Sequence, residues 1–219
     1  IAVVWIHCIA GSFLASADCN QKALHFLSAV TPYQLIYYLM NEAGKTIQNA
    51  IDEIREAVDF LRYYSNQMLS IEESNQELEG PTGELNTLSY SPKGHFICIS
   101  PWNFPVAILI GQISAALISG NKVTIKPSEH TSILGYLVVK MFHKNGVPSD
   151  ILELVLGDGK HGDMLSKIKN INGVAFTGSL PTAKKIQKKD VTINQLNVLP
   201  TIFGMNWKTI SIIFLKKKV

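Results

Sequence analysis

The stretch VAILIGQISAALIS, residues 106–119, constrains the fold more than any other part of the chain. As a helix it has no polar face, and such a helix must be covered on all sides. It stands between two short runs that read as buried strands, HFICIS (95–100) and KVTIK (122–126). Gly120 follows it as the expected C-cap.

The alternation continues. TSILGYLVVKMFHKNGVP reads as a helix with Leu134, Leu137, Val138 and Met141 on one face. Lys140, His143 and Lys144 fall in its last turn, and Gly146 and Pro148 follow as stop signals. ILELVL reads as a strand, HGDMLSKIK as a short helix, GVAFT as a strand and LPTAKKIQK as a helix start. Strands alternating with helices predict an α/β fold, a Rossmann-like parallel sheet with flanking helices and right-handed crossovers. Ligands on such sheets bind at the carboxyl ends of the strands. The informative loops therefore follow FICIS, VTIK, ELVL and VAFT.

Upstream, Thr46 opens a long amphipathic pattern. Ile47, Ile51, Ile54, Val58, Leu61 and Met68 recur at three- and four-residue steps. Asp52, Glu53, Arg55, Glu56, Asp59 and Arg62 read as the solvated opposite face. SNQELEGPTGELN is polar and Gly/Pro-containing, and reads as a loop. TLSYSPKGHFICIS reads as two extended segments around a Pro92–Gly94 turn.

Composition narrows the function classes. The chain has 219 residues and is 47% hydrophobic, enough for one domain with a real core or for part of a larger one. Only 17% of residues are charged and the net charge is +3. From Lys184 onward there are eight lysines against one acid, Asp190. Such a tail could meet nucleic acid or anionic lipid, but reads first as a solvated or disordered end. Three cysteines (Cys8, Cys19 and Cys98) argue against a disulfide framework and fit a reducing, cytoplasmic compartment. The six histidines show no metal-ligand spacing, so no metal site is expected. The apolar start, IAVVWIHCIAGSFLASADCN, lacks a positive n-region and is short for a membrane span. It reads as a buried or ill-formed segment rather than an export signal, and no membrane partner is expected.

Four loops carry chemistry: SPWNFP (100–105), KPSE (126–129), GDGKHG (157–162) and FTGS (176–179). Read alone, Asn103 would cap a turn, and Lys126 with Glu129 would be a surface pair. GDGKHG matches G-x-G-x-x-G after a strand, yet no ribose-binding acid follows at the usual distance. Cys98 alternates with Ile97 and Ile99 in a buried strand, where a thiol is an inert hydrophobe rather than a nucleophile.

In this order the four loops resemble the cofactor-domain motifs of the aldehyde dehydrogenase superfamily. NEAGKTIQNAIDEIREAVDFLRYY, GPTGELN and FICISPWNFPVAILIGQISAALISGN sharpen the likeness. They are similar to the pyrroline-5-carboxylate (glutamate semialdehyde) dehydrogenase half of bacterial bifunctional proline-utilisation proteins. The resemblance covers roughly Met40 to Gln187. It implies an NAD-dependent oxidation of glutamate semialdehyde to glutamate, with a thiohemiacetal whose oxyanion needs preorganised donors. By resemblance Asn103 is that donor, held by Pro101 and Trp102, and Ser100, Pro101 and Trp102 line the cofactor. Lys126 and Glu129 bind the adenosine ribose, and Glu129 would repel the 2′-phosphate of NADP. Thr177, Gly178 and Ser179 take the phosphates. Gly157 shapes the adenosine-side loop, where Gly159 and Gly162 read as turn glycines.

The resemblance also sets boundaries. Residues 1–39 form an atypical apolar segment and 40–188 the cofactor-binding domain, within which 83–95 resembles part of the oligomerisation strands. Residues 189–219 form an unmatched basic tail. The family continues to a Glu general base and a Cys nucleophile, but no glutamate follows Glu153 and no cysteine follows Cys98. The chain alone is therefore expected to be inactive, as a truncated or frame-disrupted remnant or as a dinucleotide-binding module that assembles with a separately encoded catalytic half. Its oligomerisation is doubtful, and no nucleic-acid partner is expected.

Overall fold

The computed structural model describes residues 32–73, 76–165, 168, 170–189 and 215–218. Two helices open this part, α1 (Pro32–Asn41) and α2 (Ile47–Glu73). Thr46 caps α2, accepting from the backbone N–H of Asn49 at 3.2 Å. The stripe of α2 that faces the core holds Ala50, Ile54, Ala57, Leu61 and Tyr64. Ile47, which the periodicity places on that face, is exposed in the first turn.

Strands β1 (Gln76–Leu78) and β2 (Asn86–Pro92) pair antiparallel. β1 lies inside the polar run expected to be loop. Its pairing to β2 supplies the hydrogen bonds that its own composition does not announce.

Strand β3 (His95–Ile99) then leads into α3 (Ala107–Ile118), the helix without a polar face. Ten of its twelve residues are buried. β3 lies on one side of it and α2 on the other. Gly111 lets the Phe60 ring lie against the α3 backbone, since an added Cβ would sit 3.3 Å from the ring. The helix ends as expected. Gly120 takes φ +79°, its N–H bonds to Leu117 O at 2.9 Å, and Asn121 N–H bonds to Ala116 O at 3.1 Å.

The remaining elements alternate as the sequence predicts. They are β4 (Lys122–Lys126), a 3-10 turn at Glu129–Thr131, α4 (Ser132–Lys144), β5 (Leu152–Leu154), α5 (Gly159–Leu165), β6 (Gly173–Phe176) and α6 (Leu180–Lys189). The strands form one parallel sheet in the order β5-β4-β3-β6. One core fills the space between the sheet and α1–α4. A second, smaller cluster lies under α5 and α6 and joins Ile97, Val174 and Phe176 to Leu165, Ala183 and Ile186.

Of the basic tail, Leu215–Lys218 is described. It forms a strand, β7, paired antiparallel with β2. The second edge of β2 offers it backbone partners. Of the atypical N-terminal segment, residues 1–31 lie outside the described part, while α1 buries Leu35 and Leu39 completely. Among the described residues no helix is long and apolar enough to cross a membrane, and no group of three or more His, Cys, Asp or Glu could hold a metal ion.

Candidate functional site

Because the four sheet strands run parallel, their carboxyl ends share one edge. Along it the loops follow the strand order: GDGKHG after β5, KPSE after β4, SPWNFP after β3 and FTGS after β6. Strand order reverses at β3, with β4 on one side and β6 on the other. The gap between SPWNFP and FTGS is thus a topological switch point, where sheets of this kind open a crevice.

Backbone bonds stitch the edge together. Ser100 N–H donates to Lys126 O at 3.3 Å, Thr177 N–H to Ile99 O at 3.0 Å and Val155 N–H to Ile125 O at 2.9 Å. Gln112 reaches up from α3 and bridges the switch point. Its Nε2 donates to Ile99 O at 3.2 Å and to Thr177 Oγ1 at 3.1 Å. The sequence reading assigns Gln112 no role; an amide in an otherwise apolar helix is the signal that could have found it.

Lys126 and Glu129 come together at the end of β4. Lys126 is 4% exposed, and its Nζ donates to Pro127 O at 3.2 Å and lies 3.8 Å from Glu129 Oε2. Burial lowers its pKa, against the opposing pull of Glu129 and Asp158. Asp158 in turn is held below the usual carboxylate range, first by its 2.9 Å hydrogen bond with His161. KPSE and GDGKHG therefore form one cluster of alternating charge. Gly157 takes φ +147°, and a Cβ there would strike the His161 ring. Turn geometry does not explain the other two glycines. Gly159 and Gly162 lie inside α5 without positive φ, and Gly162 packs beside the Lys126 stem.

In the SPWNFP corner Ser100 is buried and, among the described residues, its Oγ has no hydrogen-bond partner. Pro101 is half-buried, Asn103 is exposed and Trp102 is 56% exposed. The corner is fixed from beneath, through Phe104, Pro105 and Val106. Glu53, expected on the solvated face of α2, is 1% exposed, and its Oε1 accepts from Val106 N–H at 2.8 Å and Ala107 N–H at 3.2 Å. Lys45 Nζ lies 2.6 Å from Glu53 Oε2 and 4.0 Å from the centroid of the Phe104 ring. The two backbone donors and the ammonium together repay the desolvation of the carboxylate that drove the solvated-face expectation.

Across the switch point, Thr177 is half-buried and Gly178 and Ser179 are exposed. Ser179 precedes α6, and its carbonyl accepts from Ala183 N–H at 3.0 Å. A Cβ at Gly178 would lie 2.7 Å from the Phe176 ring, so the backbone approaches that ring closely. Cys98 is fully buried, and burial pushes its thiol far up from the usual range. It is no nucleophile.

A model of the aldehyde dehydrogenase family matches residues 24–206. The chain belongs to the aldehyde dehydrogenase family. It is 40% identical over 179 residues to the bifunctional protein PutA of Rhizobium meliloti, covering 82% of this chain and 13% of that protein. It is 36% identical over 157 residues to the 1-pyrroline-5-carboxylate dehydrogenase of Anoxybacillus flavithermus, covering 71% of this chain and 30% of that one. A crystal structure of a mutant of Bradyrhizobium japonicum proline utilization A superposes with a TM-score of 0.76 at 39% identity, over 90% of this chain and 21% of that chain. The chain thus spans a minor part of the relatives that it matches.

Aldehyde dehydrogenases generally use NAD or NADP. The edge of this aldehyde dehydrogenase chain suits such a group chemically. Ser100 Oγ is a buried hydroxyl without a partner among the described residues, and Lys126 is a nearly buried ammonium whose carboxylate partner stands 3.8 Å away. Both are groups that a polyhydroxylated, phosphate-bearing ligand would engage.

Proposed function

We propose that this chain forms the cofactor-binding side of an NAD-dependent dehydrogenase that oxidises glutamate semialdehyde, the open form of pyrroline-5-carboxylate, to glutamate. The observation that carries this reading is the juxtaposition of SPWNFP and FTGS across the switch point, with KPSE next in line along the same edge. When bound, NAD would accept the hydride. Lys126 and Glu129 would hold the adenosine ribose, beside a loop shaped by Gly157. Thr177, Gly178 and Ser179 would receive the phosphates at the start of α6. Ser100, Pro101 and Trp102 would line the cofactor, and the Asn103 amide would donate to the oxyanion.

The reaction also needs a base and a thiol. No glutamate follows Glu153, no cysteine follows Cys98, and Cys98 itself is sealed in β3. The chain alone therefore binds NAD without turnover. Calorimetric titration with NAD is expected to give saturable heat, and incubation with NAD and pyrroline-5-carboxylate to give no NADH absorbance. Absence of binding heat would overturn the first half of this reading; NADH formed by the purified chain would overturn the second. A binding module completed by a separately encoded catalytic half is the second reading, favoured by the intact KPSE and FTGS loops. Turnover that appears only on mixing the two chains is its signature.

A further inference from the structure

We propose that Glu53, paired with Lys45, is a positioning residue for Asn103. This rests on the reading of Asn103 as the oxyanion donor. Asn103 is exposed, as is Trp102 beside it. What sets its direction is the backbone of the corner, and that backbone is anchored at its far end. Glu53 Oε1 takes both the Val106 and Ala107 N–H groups, just before and at the first turn of α3. Val106 supplies no side-chain cap to the helix, so these first donors depend on a carboxylate from another helix. Lys45 then fixes Glu53 and the ring of Phe104, the residue after Asn103. The Glu53 side chain is fully buried and that of Lys45 is 12% exposed, so solvent does not loosen the clamp. Asn103 is thus held between the end of β3, through Ser100, and this clamp, through Phe104 and Val106. An amide that must meet a developing charge gains from being fixed in advance.

A matched clamp elsewhere in the chain provides the control. Glu42 accepts from Ile133 N–H at 2.8 Å and Leu134 N–H at 2.9 Å, capping α4 in the same manner without touching the SPWNFP backbone donors. The test uses the full 219-residue chain, isotopically labelled, as wild type, Glu53→Gln and Lys45→Met. In Glu53→Gln the Val106 and Ala107 amides are expected to exchange about tenfold faster or more. The Asn103 side-chain amide resonances should shift and broaden, while Ile133 and Leu134 keep their wild-type exchange. Lys45→Met, which leaves Glu53 its two backbone donors, should move the Asn103 resonances with a smaller change at Val106 and Ala107. Unchanged Asn103 resonances in both variants would overturn the proposal. So would a uniform acceleration that includes Ile133 and Leu134, which marks a merely structural role. If Glu53→Gln does not fold, Lys45→Met alone decides. Should wild-type Asn103 resonances fail to respond to NAD, the reading of the site falls, while the exchange data still decide whether the clamp holds the corner.

Discussion

The Oε1 atom of Glu53 accepts a hydrogen bond from the backbone N–H of Val106 at 2.8 Å, across a separation of 53 residues. A carboxylate at a helix N-terminus satisfies orphan donors and complements the helix dipole. This one also neutralises Lys45 at 2.6 Å. Replacing Glu53 with alanine would leave two backbone donors and a nearly buried ammonium without their acceptor. Breaking one partner of a buried pair costs about 3–5 kcal/mol. Urea unfolding of Glu53→Ala is expected to show a loss of that order; a loss below about 1 kcal/mol would mean that water replaces the carboxylate without penalty.

That contact also marks where sequence legibility stops. The buried helix α3, the β/α alternation and the four loops at one edge follow from local patterns of burial and turn residues, and each is in place. Glu53 sits in a run of six charged side chains, and periodicity cannot say which of them meets a partner 53 residues away. A hint existed in its neighbours at three- and four-residue steps, Ala50 and Ala57, whose short side chains narrow the polar face. Glu42 is harder still, since its partners Ile133 and Leu134 lie 91 and 92 residues downstream. Strand β1 was hidden for a related reason: QEL has no strand pattern until β2 pairs with it.

Ser100 separates stability from binding. Its buried hydroxyl has no partner among the described residues, and such a group costs about 1–3 kcal/mol. Ser100→Ala removes that cost, so the urea midpoint should hold or rise. If the hydroxyl meets the cofactor, NAD affinity should fall about tenfold in the same variant, read by calorimetric titration. A drop in both would show that Ser100 serves the fold instead.

Gly135 sets the distance between α4 and the KPSE turn. A Cβ there would lie 2.5 Å from Pro127 Cγ and 2.8 Å from its Cβ, and a proline ring cannot rotate away. The overpacking penalty of about 1–3 kcal/mol exceeds the helix-propensity gain of about 1 kcal/mol. Gly135→Ala is therefore destabilising. Gly111→Ala is the contrasting case, because the Phe60 ring would stand 3.3 Å off and can yield, so propensity offsets the strain. Paired urea melts of the two variants check the ordering.

His95 makes stability depend on pH. Its Nε2 lies 2.8 Å from Thr124 Oγ1, which donates to Glu153 Oε2 at 3.0 Å, while Lys122 Nζ donates to Glu153 Oε1 at 2.7 Å. Burial holds His95 below its ordinary value of 6.5; Lys122 adds to this and Glu153 opposes it. Below pH 6.5 the unfolded chain therefore takes up a proton that the folded chain resists. Its contribution is full above that pH and is lost as pH falls toward the folded pKa. Glu153 is also lowered, first by the Lys122 hydrogen bond, but its contribution is lost only below about 4.5, so the two windows separate. Urea unfolding between pH 7.5 and 5 should show falling stability, with a shallower slope in His95→Asn. Equal slopes would show that other groups carry the dependence.

Glu129 is the last test, because it reads the cofactor directly. Its half-exposed carboxylate stands 3.8 Å from Lys126 Nζ at the end of β4. In the proposed site it receives the ribose hydroxyls and repels a 2′-phosphate, which carries a charge of roughly −1.5 to −2 near neutral pH. Glu129→Gln keeps hydrogen-bonding capacity, removes the repulsion and leaves the Lys126 ammonium free to attract the phosphate. At such distances a charge pair is worth several kcal/mol without screening, which exposure and salt reduce to about 1.4 kcal/mol, or tenfold. The ratio of NADP to NAD affinity, measured by calorimetric titration of both variants, should rise by about that factor and fall back at high salt. An unchanged ratio would place the 2′ position away from Glu129, and with it the adenosine end of the cofactor away from the KPSE turn.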